Sequence, residues 1–145
     1  MNLKLKVKVL IGVVIISIVL LQGCTTTEDN RSLLKTQTLL DITAIETYAL
    51  IKNNTENPNF IIIDIRTPEE YKSGHLEDAI IMDYYENTFE KDIDQLDKEK
   101  IYLIYCRTGR RTGLAMEIMK DLNFFNVYNM LGGITQWEKE GLPIT

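Results

Sequence analysis

Two continuous apolar runs, Phe60-Ile61-Ile62-Ile63-Asp64 and Ile101-Tyr102-Leu103-Ile104-Tyr105, constrain the fold of this chain more than any other feature. Neither alternates polar with apolar residues, so neither suits a strand with one wet face. Both suit strands covered on both faces, as in a parallel sheet. A helix signal follows each. After the first, Thr67-Pro68-Glu69-Glu70 combines an N-cap threonine, a proline at the first helical position and a glutamate three residues on. After the second, Arg111 to Leu122 has helical spacing, with Leu114, Ile118 and Leu122 on one stripe.

The remaining segments continue the alternation. Asp41-Ile42 closes a short strand, and Thr43-x-x-Glu46 is a capping box that opens a helix over Ala44 to Lys52. The helix after Thr67 is limited to one or two turns by Gly74. Ala79-Ile80-Ile81-Met82 reads as a short buried strand. Glu86 to Lys100 reads as an exposed acidic helix carrying Phe89, Ile93 and Leu96. Asn126 to Asn129 is a last strand, and Ile134 to Glu140 a last helix stopped by Gly141 and Pro143. This order predicts an α/β fold: a small open parallel sheet of about five strands with helices on both faces. The folded domain is expected over residues 41–145.

The N-terminal segment has a different character. Lys4, Lys6 and Lys8 precede an apolar run from Val9 to Leu21. A basic start followed by such a run is the pattern of an export signal, and the run is shorter than a full membrane span. Leu21-Gln22-Gly23-Cys24 then resembles a bacterial lipobox. The expectation is a lipoprotein signal peptide over 1–23, lipidation at Cys24, and a polar linker over 24–40. The domain would then sit outside the cytoplasm, tethered to the cell membrane by its lipid. Removal of the signal takes three of the 16 basic side chains and none of the 21 acidic ones. Electrostatics would therefore not hold the chain to anionic headgroups, and the lipid must.

Charge and residue counts exclude several functions. A formal net charge of −5 argues against a nucleic-acid binder, which needs a basic footprint. Two Cys and one His are too few for a disulfide framework or a closed Cys/His zinc site. The length suits one domain, expected to be monomeric.

Chemistry concentrates at Cys106. It directly follows the strongest strand and begins Cys106-Arg107-Thr108-Gly109-Arg110-Arg111-Thr112, after which a helix starts. A loop from the carboxyl end of a parallel strand into a helix N-terminus lies where open α/β sheets bind ligands. Unpaired N–H groups and partial positive charge gather there. Gly109 lets the backbone curl so that several N–H groups face one centre. Three arginines add fixed charge. This setting lowers a thiol's pKa and holds an oxyanion. The residues therefore point to a nucleophilic cysteine aimed at an anionic substrate.

The loop also resembles the active loop of the rhodaneses, sulfurtransferases that carry sulfur as a cysteine persulfide. Asp64-Ile65-Arg66-Thr67-Pro68-Glu69-Glu70-Tyr71 with Gly74-His75-Leu76 and Ala79-Ile80 resembles a second family segment. Gly132-Gly133-Ile134-x-x-Trp137 with Gly141-Leu142-Pro143 resembles a third. The resemblance spans residues 41 to 145. It implies that Cys106 carries the persulfide and that the 107–111 backbone N–H groups stabilise the charged sulfur. Arg107, Thr108, Gly109, Arg110 and Arg111 would form the substrate-binding loop, with Arg107 and Arg111 orienting the anionic donor. Asp64, Arg66, Glu70 and His75 would be structural. Trp137 would pack in the core. Asp78 stands where the family has glycine, a position that asks for positive φ.

The reaction implied is a two-step transfer from an anionic sulfur donor such as thiosulfate to a thiol or cyanide, without metal or organic cofactor. Two alternatives remain at this point. Cysteine-dependent phosphatases and arsenate reductases want Cys-x5-Arg, whereas here that position holds Thr112 and Arg111 comes one earlier. A docking or thiol-redox module is the other, with no C-x-x-C to support a thioredoxin-like exchange.

Overall fold

A computed structural model describes residues 36–145. The signal sequence over 1–23, the lipidation site Cys24 and most of the 24–40 linker lie outside the described residues. Among the described residues no helix is long and apolar enough to cross a membrane.

Five parallel strands form one sheet: β1 (Thr38–Ile42), β2 (Phe60–Asp64), β3 (Ile80–Ile81), β4 (Ile101–Tyr105) and β5 (Asn126–Met130). Their spatial order is β1-β5-β4-β2-β3, so β4 is central. Ile63 pairs with Ile104, and Ile104 with Asn129, across the three inner strands. Four helices connect them, α1 (Ala44–Asn53), α2 (Pro68–Lys72), α3 (Phe89–Asp94) and α4 (Arg110–Asp121), and α5 (Gly133–Lys139) follows β5.

The continuous apolar runs are explained by two cores. Successive strand residues point to opposite faces. Ile63 of β2 and Tyr102 and Ile104 of β4 pack with Phe89, Ile93, Ala115 and Met119 beneath α3 and α4. Ile62, Leu103 and Tyr105 pack on the other face with Ala44, Ile134 and Trp137 from α1 and α5. Trp137 is buried, as expected, and its indole N–H donates to the Pro143 carbonyl at 2.9 Å.

Both capping boxes form. Thr43 accepts from the Glu46 amide, and Thr67 from the Glu70 amide, while each glutamate accepts from its own cap's N–H. Three expectations need correction. The buried strand at Ala79–Met82 is only Ile80–Ile81, with both side chains exposed, because it lies at the sheet edge and pairs with β2 alone. The long acidic helix is the six-residue α3, with Phe89 and Ile93 buried. Thr88 provides no side-chain cap, and Asp97 bends the backbone by accepting the Glu99 amide. Along α4 the core stripe is Ala115 and Met119, while Leu114 is half-exposed.

Asp78 adopts φ 61°, the left-handed conformation expected where the family carries glycine. That conformation costs an L side chain about 1 kcal/mol, offset in part by the extra freedom of an unfolded glycine. Asp78→Gly is therefore expected to stabilise the chain by roughly 0.5 kcal/mol. A urea unfolding midpoint that falls in the variant would refute this account.

Candidate active site

Strand β4 delivers Cys106 to the carboxyl edge of the sheet, and α4 begins four residues later. Cys106 continues the inward alternation of Tyr102 and Ile104, which is why it is only 1% exposed. Burial disfavours a thiolate. The loop counters it with donors.

Gly109, the cap of α4, has φ 89° and sends its N–H to Cys106 Sγ at 3.1 Å. The first turn of α4 adds Thr112, whose Oγ1 lies 3.9 Å from Sγ and 3.0 Å from the Gly109 carbonyl. Burial pushes the Cys106 thiol up. The N–H groups of Thr112, Thr108 and Gly109 and the Thr112 hydroxyl outweigh it, so the pKa lies below its ordinary 9.0. The thiolate is thus present above a pH lower than that of a free cysteine.

A second helix end holds the loop from behind. The first N–H groups of α5 donate to the loop's carbonyls: Ile134 N to Cys106 O at 2.9 Å, Thr135 N to Arg107 O at 3.1 Å. Turning those carbonyls toward α5 leaves the loop's own N–H groups facing Sγ. The approach needs Gly133, where a Cβ would lie 2.3 Å from Cys106 O and 2.7 Å from Arg107 O.

The arginines divide into two kinds. Arg107, 69% exposed at its side chain with Nε 3.8 Å from Glu70 Oε1, and the exposed Arg110 present charge at the mouth. Thr108 is exposed beside them. Arg111 is 11% exposed and forms two hydrogen bonds to Glu70, Nη1 to Oε2 at 2.7 Å and Nη2 to Oε1 at 2.8 Å. The pairing holds the Glu70 carboxyl at about 2, against a cost of burial, with the Thr67 amide helping. It raises the Arg111 guanidinium in turn. Glu70 thereby joins the cap of α2 to the first turn of α4. The Arg111 guanidinium also lies 5.4 Å from the centroid of the Tyr85 ring.

Asp64 and Arg66 form a buried pair at 2.7 Å, and Arg66 Nη2 donates to the Gly74 carbonyl at 2.6 Å. The Tyr105 hydroxyl accepts the Leu76 amide at 3.1 Å. His75 stacks on Tyr71 with ring centroids 3.8 Å apart, and its backbone N–H donates to the Thr145 carbonyl at 3.0 Å. These contacts fix the turn after α2.

Sequence reasoning did not single out Thr112 as a site residue. Its signal was its place: one helical turn after Gly109, on the face that returns to the strand. Thr112→Val keeps the shape and removes the hydroxyl. The variant is expected to move the midpoint of the Cys106 alkylation rate to higher pH, with Thr112→Ser restoring it. An unchanged profile in Thr112→Val would show that the hydroxyl does nothing for the thiolate.

Comparison with known proteins gives the family and the fold. The sequence model of the family described as rhodanese-like domain matches residues 30–140. A sulfurtransferase of Allochromatium vinosum is 28% identical over 103 residues, covering 71% of this chain and 94% of that one. A tRNA uridine(34) hydroxylase of Yersinia pestis is 34% identical over 97 residues, 61% of this chain but only 27% of the hydroxylase. Among solved structures, a rhodanese-related protein of Thermoplasma volcanium superposes with TM-score 0.62 at 27% identity, covering 72% of this chain and 96% of that one.

Proposed function

The chain belongs to the rhodanese-like domain family, and from that membership we propose that it is a sulfurtransferase working through a persulfide on Cys106. The observation that carries the reading is the Cys106 sulfur itself, buried yet accepting the Gly109 N–H at 3.1 Å at a helix start. The Allochromatium relative, named a sulfurtransferase, supports the same type of activity.

In the first step the Cys106 thiolate attacks the sulfane sulfur of an anionic donor such as thiosulfate. A new S–S bond forms, the donor's S–S bond breaks, and sulfite leaves with the electron pair. The terminal sulfur of the persulfide now carries the negative charge. The loop's N–H groups stabilise that charge as they did the thiolate. In the second step a thiol or cyanide attacks the terminal sulfur, and the Cys106 thiolate is released. The cycle has two half-reactions and gives ping-pong kinetics. Arg107 and Arg110 draw the anion to the mouth. Arg111 acts through its place in the loop, since its guanidinium is bound to Glu70.

Two features favour sulfur over phosphate. The sixth residue after Cys106, where a Cys-x5-Arg loop has its arginine, is Thr112, 3.9 Å from Sγ. Arg111, one position earlier, is paired with Glu70 and does not complete an oxyanion clamp. The acidic balance, 16 basic against 21 acidic side chains, gives no basic footprint for tRNA.

The deciding experiment is the intact mass of the protein before and after thiosulfate. A gain of one sulfur that cyanide removes is the expected result. No gain, with Cys106 still open to alkylation, would reject thiosulfate as donor. We further propose that lipid on Cys24 tethers the domain to the outer side of the cell membrane. Cys24→Ala is expected to lose labelled palmitate and to leave the membrane fraction; retention of both would reject the anchor.

A further inference from the structure

A cavity of about 610 Å³ lies on the flank of the active loop. Leu39 and Asp41 of β1, Asn129 of β5, Gly109 at the cap of α4, and Gly113 and Met116 along α4 border it. The chemistry of Cys106 uses none of these residues except Gly109.

Three observations give the cavity a character. The first is Asn129, 3% exposed, whose Nδ2 donates to Asp41 Oδ1 at 2.8 Å. A carboxylate only accepts, so this bond settles which way the amide faces. Among the described residues the buried Asn129 Oδ1 finds no hydrogen-bond partner. A buried orphan acceptor is costly and calls for an explanation. The second is Gly113, inside α4, where a Cβ would meet nothing within 4 Å. Glycine in a helix interior is unfavourable relative to alanine. Among the described residues no close approach requires it, so its effect is to leave room. The third is Gly109, which forms part of the cavity wall and gives its N–H to Cys106 Sγ.

Lys120 also borders the cavity, but its ammonium lies 3.7 Å from the Glu117 carboxylate, and Asp41 and the Asn129 carbonyl add two acceptors beside that pair. They suit a group with several N–H donors and positive charge. Leu39, Met116 and the space over Gly113 suit an aliphatic stem. We propose that this cavity binds a primary ammonium group on a short aliphatic chain. The ammonium bonds Asp41, and a modest turn of the Asn129 amide brings Oδ1 to a second N–H. The stem lies over Gly113 against Met116. The ligand sits beside the sulfur-bearing loop without entering the anion's place. Its binding is read without any transfer reaction, so the sulfurtransferase reading and this one stand or fall separately.

The test uses the full chain in detergent micelles, labelled with ¹⁵N and titrated with n-butylamine at pH 7. The signals followed are the Gly113 amide and the Asn129 side-chain amide. Saturable shifts of both are expected. Asp41→Asn should weaken binding at least about tenfold, and Gly113→Leu, which fills the open space, should abolish it. n-Butanol, with the same stem and no charge, should give no saturable shift. The proposal is overturned if the two signals do not move in the wild type. It is overturned equally if butanol binds as well as the amine, or if either variant binds undiminished.

Discussion

Cys106→Ser is expected to lower sulfur transfer by at least about a thousandfold while leaving the fold in place. The serine oxygen occupies nearly the same volume, so Gly109 N–H keeps an acceptor and the core under α4 keeps its packing. A change in stability of no more than about 1 kcal/mol follows. Activity has no such substitute. An alcohol stays protonated at neutral pH, and even when it attacks it forms no persulfide. The intact mass of the variant should not change with thiosulfate. Turnover that survives in Cys106→Ser would place the sulfur carrier elsewhere and remove the basis of the mechanism.

The wild-type enzyme should also show a pH profile set by the loop. The Cys106 pKa is below its ordinary 9.0. The thiolate's stabilisation of the fold is then fully present above the unfolded value and is lost as pH falls through the folded one. Reactivity follows the same curve. Rates of alkylation and of sulfur uptake should therefore level off at a lower pH than for free cysteine.

Among the described glycines, Gly133→Ala should be the most damaging substitution. At φ 56° an alanine already costs about 1–2 kcal/mol. The added Cβ would also fall 2.3 Å from Cys106 O, with the Arg107 carbonyl carbon and oxygen both at 2.7 Å. These are backbone atoms, and they cannot step aside as a flexible side chain does. Either α5 withdraws or the loop does. In both cases the bonds from Ile134 and Thr135 to the Cys106 and Arg107 carbonyls are lost. A destabilisation of about 3 kcal/mol is expected, together with slower alkylation of Cys106 at neutral pH. Gly113→Ala supplies the contrast, since its Cβ meets nothing. That variant should be as stable as the wild type or more so, by up to about 1 kcal/mol. Equal unfolding midpoints for Gly133→Ala and the wild type would refute the buttress.

The sheet and its helices were legible because their causes are local. Ile101 to Tyr105 is apolar at every position, which only a strand buried on both faces explains. Thr43 with Glu46, and Thr67 with Pro68 and Glu70, carry their caps within four residues. Where the cause was distant, sequence reading missed. The exposure of Ile80 and Ile81 depends on β3 being the last strand, a fact of sheet order. Leu114 lies on an apolar stripe but faces outward, because the rotation of α4 is set by Cys106 and Thr112 at its start.

The same division runs through the candidate site. Sequence alone determined that Cys106 ends a buried strand, opens a glycine-containing loop and meets a helix N-terminus. Those features involve neighbouring residues, and their electrostatic consequence, a stabilised thiolate, needs no distant partner. Only the tertiary structure decided the use of the arginines and of Gly133. Arg111 is 41 residues from Glu70, and their pairing exists because α2 and α4 start at the same edge of the sheet. Gly133 is a contact residue of Cys106 because β5 lies beside β4 and its following helix points back at the loop. Hydrogen bonds and steric limits act over a few ångströms, and the chain must fold before such residues come within reach of one another.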